Sequence, residues 1–253
     1  MPPISFTAAP SHLAYDHQPG SSPGVLFLCG YKSDMLGSKA TALADWAAKT
    51  GRQFTRFDYR GHGQSPGNFT DFVLSDWLCD ALQILDQVTT GPQIVIGSSM
   101  GGWLMLHLAI QRPARVAGLV GIAAAPDFTA ELLWDKLPAA LQEKMRGEGV
   151  FYEPSPYGPE PTPFTYRLVE DGYQHLLLTR DHLPIACPVH LLHGMQDTDV
   201  PYEFSQRMAA KIGPHAVVDL IPDGDHRLSR PEDIAKLLAV IQDMIDSPLV
   251  LCF

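Results

Sequence analysis

Apolar and polar positions alternate along this chain in two rhythms. Short, nearly continuous apolar runs occur at Val25-Leu26-Phe27-Leu28-Cys29, Gln93 to Ile96, Val116 to Ala123 and Val189 to Leu192. Their length and β-branched content suit strands buried on both faces of a parallel sheet. Gln53 to Asp58 and Ala216 to Pro222 read as two further strands, and Ile4 to Thr7 and Leu13 to Tyr15 as short antiparallel edge strands. Between the runs the period lengthens. Leu43, Trp46 and Ala47 share helical spacing over 38–50, closed by Gly51, and Leu74, Trp77, Leu78, Ala81, Leu82, Leu85 and Val88 form an amphipathic stripe closed by Gly91-Pro92. Trp103 to Ile110 is apolar nearly all round, which predicts a buried helix, and another helix is expected over 201–212. The last helix carries Ile234, Leu237, Leu238, Ile241, Met244 and Ile245 on one face, with Ser229 and Glu232 spaced as a capping box. This alternation predicts an α/β fold, a doubly wound and mostly parallel central sheet flanked by helices.

The rhythm breaks between Asp127 and about Pro188. Two helical stretches, Thr129 to Arg146 and Phe164 to Leu178, flank a segment containing Pro154, Pro156, Pro159, Pro161 and Pro163, with no convincing strand. An insertion of this kind is best placed over the strand ends. The expected organisation is therefore a core of residues 1–126 and 189–253 with a helical cap over 127–188. Tyr152, Tyr157 and Phe164 are candidates to line its entrance.

Composition narrows the function. The 253 residues are 45% hydrophobic and 18% charged, and no run reaches the roughly 20 apolar residues of a transmembrane segment. The net charge of −10 repels phosphate backbones and anionic membranes, so nucleic acid is not an expected partner. Cys29, Cys79, Cys187 and Cys252 are widely spaced and form no CxxC pair, which argues against a metal site and a disulfide framework. No cofactor is implied. The first basic residue is Lys32, so neither a signal peptide nor a transit peptide is evident and a cytoplasmic location is expected. Oligomeric state is not legible.

The apolar run at 93–96 leads into Gly97-Ser98-Ser99-Met100-Gly101 and then directly into a helical pattern. A sharp strand-turn-helix corner would hold Ser99 proud of the sheet, and side chains at Gly97 or Gly101 would collide with neighbouring backbone. A serine hydroxyl needs a base, and the base needs an acid to hold its tautomer. His226, in a tight loop after the last strand, is the candidate base. Asp197 is the preferred acid and Asp199, just before Val200-Pro201, competes with it. The oxyanion of an acyl-transfer reaction needs amide donors; Met100 supplies one and Tyr31 a second, with Gly30 leaving room for substrate. Gly61-His62-Gly63 suggests a dinucleotide loop, but Pro66 stands where the third glycine belongs, so that reading fails. His107 reads as packed core.

Longer stretches carry a resemblance: Gly30-Tyr31-Lys32-Ser33-Asp34-Met35, Phe57-Asp58-Tyr59-Arg60-Gly61-His62-Gly63, Gly97 through His107, and His193-Gly194-Met195-Gln196-Asp197 with Asp225-His226-Arg227. The order Ser99, Asp197, His226 is that of the α/β-hydrolase fold. Over essentially its whole length the chain resembles the α/β-hydrolase superfamily, and in these stretches the abhydrolase domain-containing protein 10 family, acyl-glucuronide esterases and palmitoyl-protein thioesterases. That resemblance implies Ser99, Asp197 and His226 as the triad. The animal members begin with an organelle transit sequence not seen here, which suggests a bacterial-type relative. The expected activity is hydrolysis of a small-molecule acyl ester or thioester, or of an acylated protein, through an acyl-enzyme. Two alternatives stay open: an amide or peptide hydrolase of the same fold, and a non-catalytic, receptor-like binder.

Overall fold

The continuous apolar runs lie in the middle of one sheet. The computed structural model describes residues 13–155 and 158–247, so the expected strand over Ile4 to Thr7, and Tyr157, lie outside the described residues. The chain begins with β1 (Tyr15–Gln18), β2 (Ser21–Leu28), α1 (Ser38–Thr50), β3 (Arg52–Phe57), α2 (Leu74–Gln87), β4 (Gln93–Ser98), α3 (Met100–Gln111) and β5 (Val116–Ile122). A stretch with α4 (Ala139–Glu148), β6 (Val150–Glu153), β7 (Thr162–Thr165) and α5 (Tyr166–Gly172) follows. The chain then continues through β8 (Val189–Gly194), α6 (Glu203–Ile212), β9 (Ala216–Ile221) and α7 (Pro231–Asp246). The seven-stranded sheet has the order β1-β3-β2-β4-β5-β8-β9, with β1 antiparallel to β3 and every other pairing parallel.

β4 and β5 sit at the centre and are buried at every position. Helix α3 crosses behind them, and each residue from Met100 to Ala109 is buried, as its all-round apolar pattern requires. The predicted α/β architecture is the observed one.

Differences from the pattern have local causes. The first edge strand is centred later than Leu13 to Tyr15, because its polar residues find partners on β3: Arg56 pairs with Asp16 at 3.0 Å, and His17 Nδ1 lies 2.8 Å from Thr55 Oγ1. Helix α7 is capped one residue later than expected. Pro231 occupies its first turn, and the Asp233 carboxylate accepts the Arg230 N–H at 3.1 Å, while Ser229 Oγ turns to the Arg227 carbonyl.

The stretch between β5 and β8 departs most. The expected helix from Thr129 to Arg146 is a π turn (Thr129–Leu133), a 3-10 turn (Trp134–Lys136) and α4, separated at Pro138. The expected helix from Phe164 to Leu178 shortens to α5 and a 3-10 turn (Tyr173–His175). The proline-rich segment, expected to hold no strand, forms the antiparallel ribbon β6–β7, from Val150 opposite Thr165 to Glu153 opposite Thr162. Proline is tolerated there because a two-stranded ribbon has open edges. The stretch is therefore mixed rather than all helical. Asp127 ties the two ends of the stretch together, its carboxylate accepting the Leu177 and Leu178 N–H groups at 2.8 Å, and Glu131 fastens the stretch to α6 through Arg207.

Candidate active site

The turn from β4 into α3 places Ser99 at φ 53°, ψ −117°, a conformation that costs a side-chain-bearing residue of order 1–3 kcal/mol. Surrounding backbone holds it there: the Ser99 N–H donates to Ile122 O at 2.9 Å, and Ser99 O accepts from Gly102 at 2.9 Å and Ala125 at 3.0 Å. A Cβ at Gly97 would land on the Gly101 carbonyl, and one at Gly101 on the Leu28 carbonyl. Both positions admit only glycine for that reason.

His226 and Asp197 arrive on the loops after β9 and β8. Those loops are bound together, Met195 N–H to Ile221 O at 2.8 Å and Gln196 N–H to Gly224 O at 2.9 Å. His226 Nε2 lies 3.2 Å from Ser99 Oγ and its Nδ1 2.8 Å from Asp197 Oδ2. A carboxylate can only accept, so Nδ1 carries the proton and Nε2 presents a lone pair to the Ser99 hydroxyl. The Asp197 side chain is completely buried. Burial by itself would raise its carboxyl, but hydrogen bonds from His193 and His226 and the Val200 N–H outweigh it and hold the group well below the usual carboxylate range. Asp199 is not the partner of His226; its own N–H donates to Asp197 Oδ1 at 2.9 Å. Asp225 braces the turn by accepting the Arg227 and Leu228 N–H groups.

His193 was not singled out from the sequence. It is fully buried, its Nε2 lies 3.2 Å from Asp197 Oδ2 and 2.9 Å from Val200 O, and its Nδ1 lies 2.7 Å from Ser205 Oγ. Two acceptors facing Nε2 require the proton there, so His193 donates to the same carboxylate oxygen that accepts from His226. Its spacing, four residues before Asp197 at the end of an apolar strand, was the available signal.

The amide N–H groups of Tyr31 and Met100 have no hydrogen-bond acceptor among the described residues. Met100 opens α3, so its N–H also lies at the positive end of the helix dipole. A Cβ on Gly30 would stand 3.3 Å from Ser99 Cβ. The loop bearing Tyr31 is braced by the segment rejected as a dinucleotide loop. Asp58 accepts the Met35 N–H at 2.7 Å and the Gln64 N–H at 2.8 Å, and His62 Nε2 accepts the Lys32 N–H at 3.3 Å. Burial lowers the His62 ring to about 4, which keeps it neutral and able to accept.

A cavity of about 440 Å³ opens on Ser99 and His226, within the range of about 300–1,000 Å³ common for ligand pockets. Its apolar wall is Tyr31, Met100, Phe128, Leu132 and Phe164. Phe164 thus lines it as expected, whereas Tyr152 is exposed and does not. Tyr31 stacks on Phe164 at 5.1 Å and its hydroxyl donates to Pro163 O at 2.6 Å. His107 is packed, its Nε2 3.0 Å from His175 O. Among the described residues no group of three or more His, Cys, Asp or Glu could hold a metal ion, and no helix is long and apolar enough to cross a membrane.

Comparison with known proteins finds similarity to alpha/beta hydrolases. The model of the alpha/beta hydrolase family matches residues 25–237. The chain is 42% identical over 237 residues to the mouse (Mus musculus) palmitoyl-protein thioesterase ABHD10, mitochondrial, covering 93% of this chain and 79% of the relative. The human (Homo sapiens) protein of the same name is 40% identical over 247 residues, 96% of this chain and 80% of that one. The solved structure of alpha/beta hydrolase domain-containing protein 10 from mouse superposes with a TM-score of 0.86 at 40% identity, covering 96% of this chain and 98% of that chain. Both named relatives are mitochondrial, a compartment other than the expected cytoplasm.

Proposed function

Because this chain belongs to the alpha/beta hydrolase family, we propose that it is a serine hydrolase that cleaves carboxylic esters or thioesters through an acyl-enzyme carried on Ser99. The observation that carries the reading is the hydrogen-bonded series Ser99 Oγ, His226, Asp197 at 3.2 and 2.8 Å, opening on an apolar cavity. His226 Nε2 takes the Ser99 proton as Oγ bonds to the acyl carbon, and the resulting imidazolium is stabilised by the buried Asp197 carboxylate. The Tyr31 and Met100 amides bind the oxyanion, a contribution of roughly a hundred- to a thousand-fold in turnover for one donor. The C–O or C–S bond then breaks, and His226 returns the proton to the leaving alcohol or thiol. Water, deprotonated by His226, releases the acid in the second half.

The segment 127–188 acts as the cap, since Phe128, Leu132 and Phe164 supply the apolar wall facing Ser99. The naming of both relatives as palmitoyl-protein thioesterases supports a fatty-acyl thioester, small or protein-borne, as substrate. The test is labelling with a serine-directed fluorophosphonate together with turnover of acyl esters and thioesters. Wild type should label at Ser99 and turn over; Ser99→Ala should do neither, and equal labelling of the two overturns the reading.

A further inference from the structure

Each lone pair of the Asp197 carboxylate meets a donor. Oδ1 accepts the Asp199 and Val200 N–H groups at 2.9 and 2.8 Å, and Oδ2 lies 2.8 Å from His226 Nδ1 and 3.2 Å from His193 Nε2. An acid of this kind needs only one histidine, the base that it orients, and His226 is that one. His193 is an additional partner on the same oxygen.

His193 has little freedom to be anywhere else. It is buried near the end of β8, its Nε2–H is shared with Val200 O at 2.9 Å, and its Nδ1 lies 2.7 Å from Ser205 Oγ on α6. With the proton on Nε2, Nδ1 can only accept, so the Ser205 hydroxyl donates to it and supports that tautomer. Ser205 is buried too, and its N–H donates to Tyr202 O at 3.0 Å. A continuous hydrogen-bonded series therefore runs from Ser205 through His193, Asp197 and His226 to Ser99.

Two effects on the acid follow. Burial favours the neutral carboxyl, and the His193 bond opposes it, together with those from His226 and the Val200 N–H. The charge on Oδ2 is also divided between two N–H donors, so neither holds as much of it as a single donor would. The imidazolium form of His226 is then gripped less tightly by Asp197 than it would be without His193. Other titratable groups nearby have partners of their own: Asp225 on the His226 loop accepts the Arg227 and Leu228 N–H groups, and Arg207 on α6 pairs with Glu131 at 2.6 Å. Asp199, on the loop of Asp197, donates its N–H to that carboxylate.

We propose that His193 is a positioning residue of the hydrolytic site: it fixes the rotation of the Asp197 carboxylate and takes a share of its charge. This rests on the serine-hydrolase reading above. The consequence is a working range extended toward acid, because a less tightly gripped imidazolium gives up its proton more readily and His226 stays available as a base.

The pH profile of thioester hydrolysis by wild type, His193→Gln and His193→Phe tests this. Glutamine keeps an N–H donor at about the reach of Nε2, whereas phenylalanine keeps a ring with no donor. In His193→Phe the acid limb of kcat/KM should move up by about half a pH unit or more. Its plateau kcat should fall by about tenfold or more with KM unchanged, since His193 lines neither cavity beside Ser99. His193→Gln should return the limb toward its wild-type position. A limb that stays in place or moves down in His193→Phe, or one that moves equally in both variants, overturns the proposal. Thermal unfolding verifies that the variants fold. Nitrogen NMR of the histidines in the wild type gives a measurement independent of folding: the Nε2–H tautomer of His193 supports the proposal, and the Nδ1–H tautomer overturns it. Loss of all wild-type turnover and of Ser99 labelling would instead count against the hydrolase reading.

Discussion

Replacing Asp197 by asparagine tests the proposed mechanism at its most constrained atom pair. Both carboxylate oxygens act purely as acceptors: Oδ1 takes the Asp199 and Val200 N–H groups at 2.9 and 2.8 Å, and Oδ2 takes His226 and His193 at 2.8 and 3.2 Å. Asparagine has one accepting oxygen. If it stays with the backbone pair, the amide NH2 faces both histidines. His226 can accept at Nδ1 only by moving its proton to Nε2, where the proton points at Ser99 Oγ and the base is lost. His193 cannot follow, because its Nε2 proton already serves Val200 O at 2.9 Å. Two hydrogen bonds to a charged group are lost, about 1.5–3 kcal/mol each before relaxation, so stability should fall by about 3 kcal/mol. The tautomer change should lower kcat by about ten-thousandfold. Steady-state turnover of a thioester at neutral pH and urea unfolding at several pH values measure both. The sign of the pH effect follows from the depressed carboxyl. Its stabilisation is fully present above the unfolded value of about 3.9 and is lost as pH falls toward the lower folded value. The stability gap between wild type and Asp197→Asn should therefore be widest near neutrality and shrink below about pH 4. A variant that keeps more than about a hundredth of wild-type kcat, or a gap that does not change with pH, refutes the reasoning.

Other substitutions separate fold from chemistry. Gly101→Ala puts a Cβ on the Leu28 carbonyl and should cost at least about 1–3 kcal/mol in urea unfolding or abolish soluble expression; an unchanged midpoint contradicts the elbow packing. Gly30→Ala meets only the tight 3.3 Å contact at Ser99 Cβ, so kcat/KM should drop about tenfold or more while the unfolding midpoint barely moves. Tyr31→Phe removes the hydrogen bond to Pro163 O but keeps the stacking on Phe164; about 0.5–1.5 kcal/mol of stability should be lost and KM should rise, which calorimetry and kinetics read.

The sheet was legible because a strand buried on both faces needs a continuous apolar run, as β4 and β5 show. β1 was placed wrongly because its residues Asp16 and His17 are stabilised by partners on β3 rather than by burial, and no period of apolar positions records that. The ribbon β6–β7 was invisible for a related reason: Pro163 reads as a breaker, yet it sits opposite Tyr152 where a ladder bond is dispensable. Ser99, His226 and Asp197 are brought within hydrogen-bond reach, and the choice of Asp197 over Asp199 accords with the geometry. That choice could be made from loop position alone. The support behind them was not legible. His62 acts through a hydrogen bond across the fold that its spacing does not announce, and His193 had only its place four residues before Asp197 to set it apart from the core-packed His107.

Tyr31 joins two parts of the molecule that would otherwise be independent. Its backbone N–H is one of the two proposed oxyanion donors, while its ring and hydroxyl grip the ribbon at Phe164 and Pro163. A guest too bulky for the space beneath the ribbon pushes on that grip, and the force is delivered to the amide beside Ser99. Size would then be sensed as a loss of speed: oversized guests are admitted and processed slowly, because misfit at the roof becomes misalignment at the bond being cut.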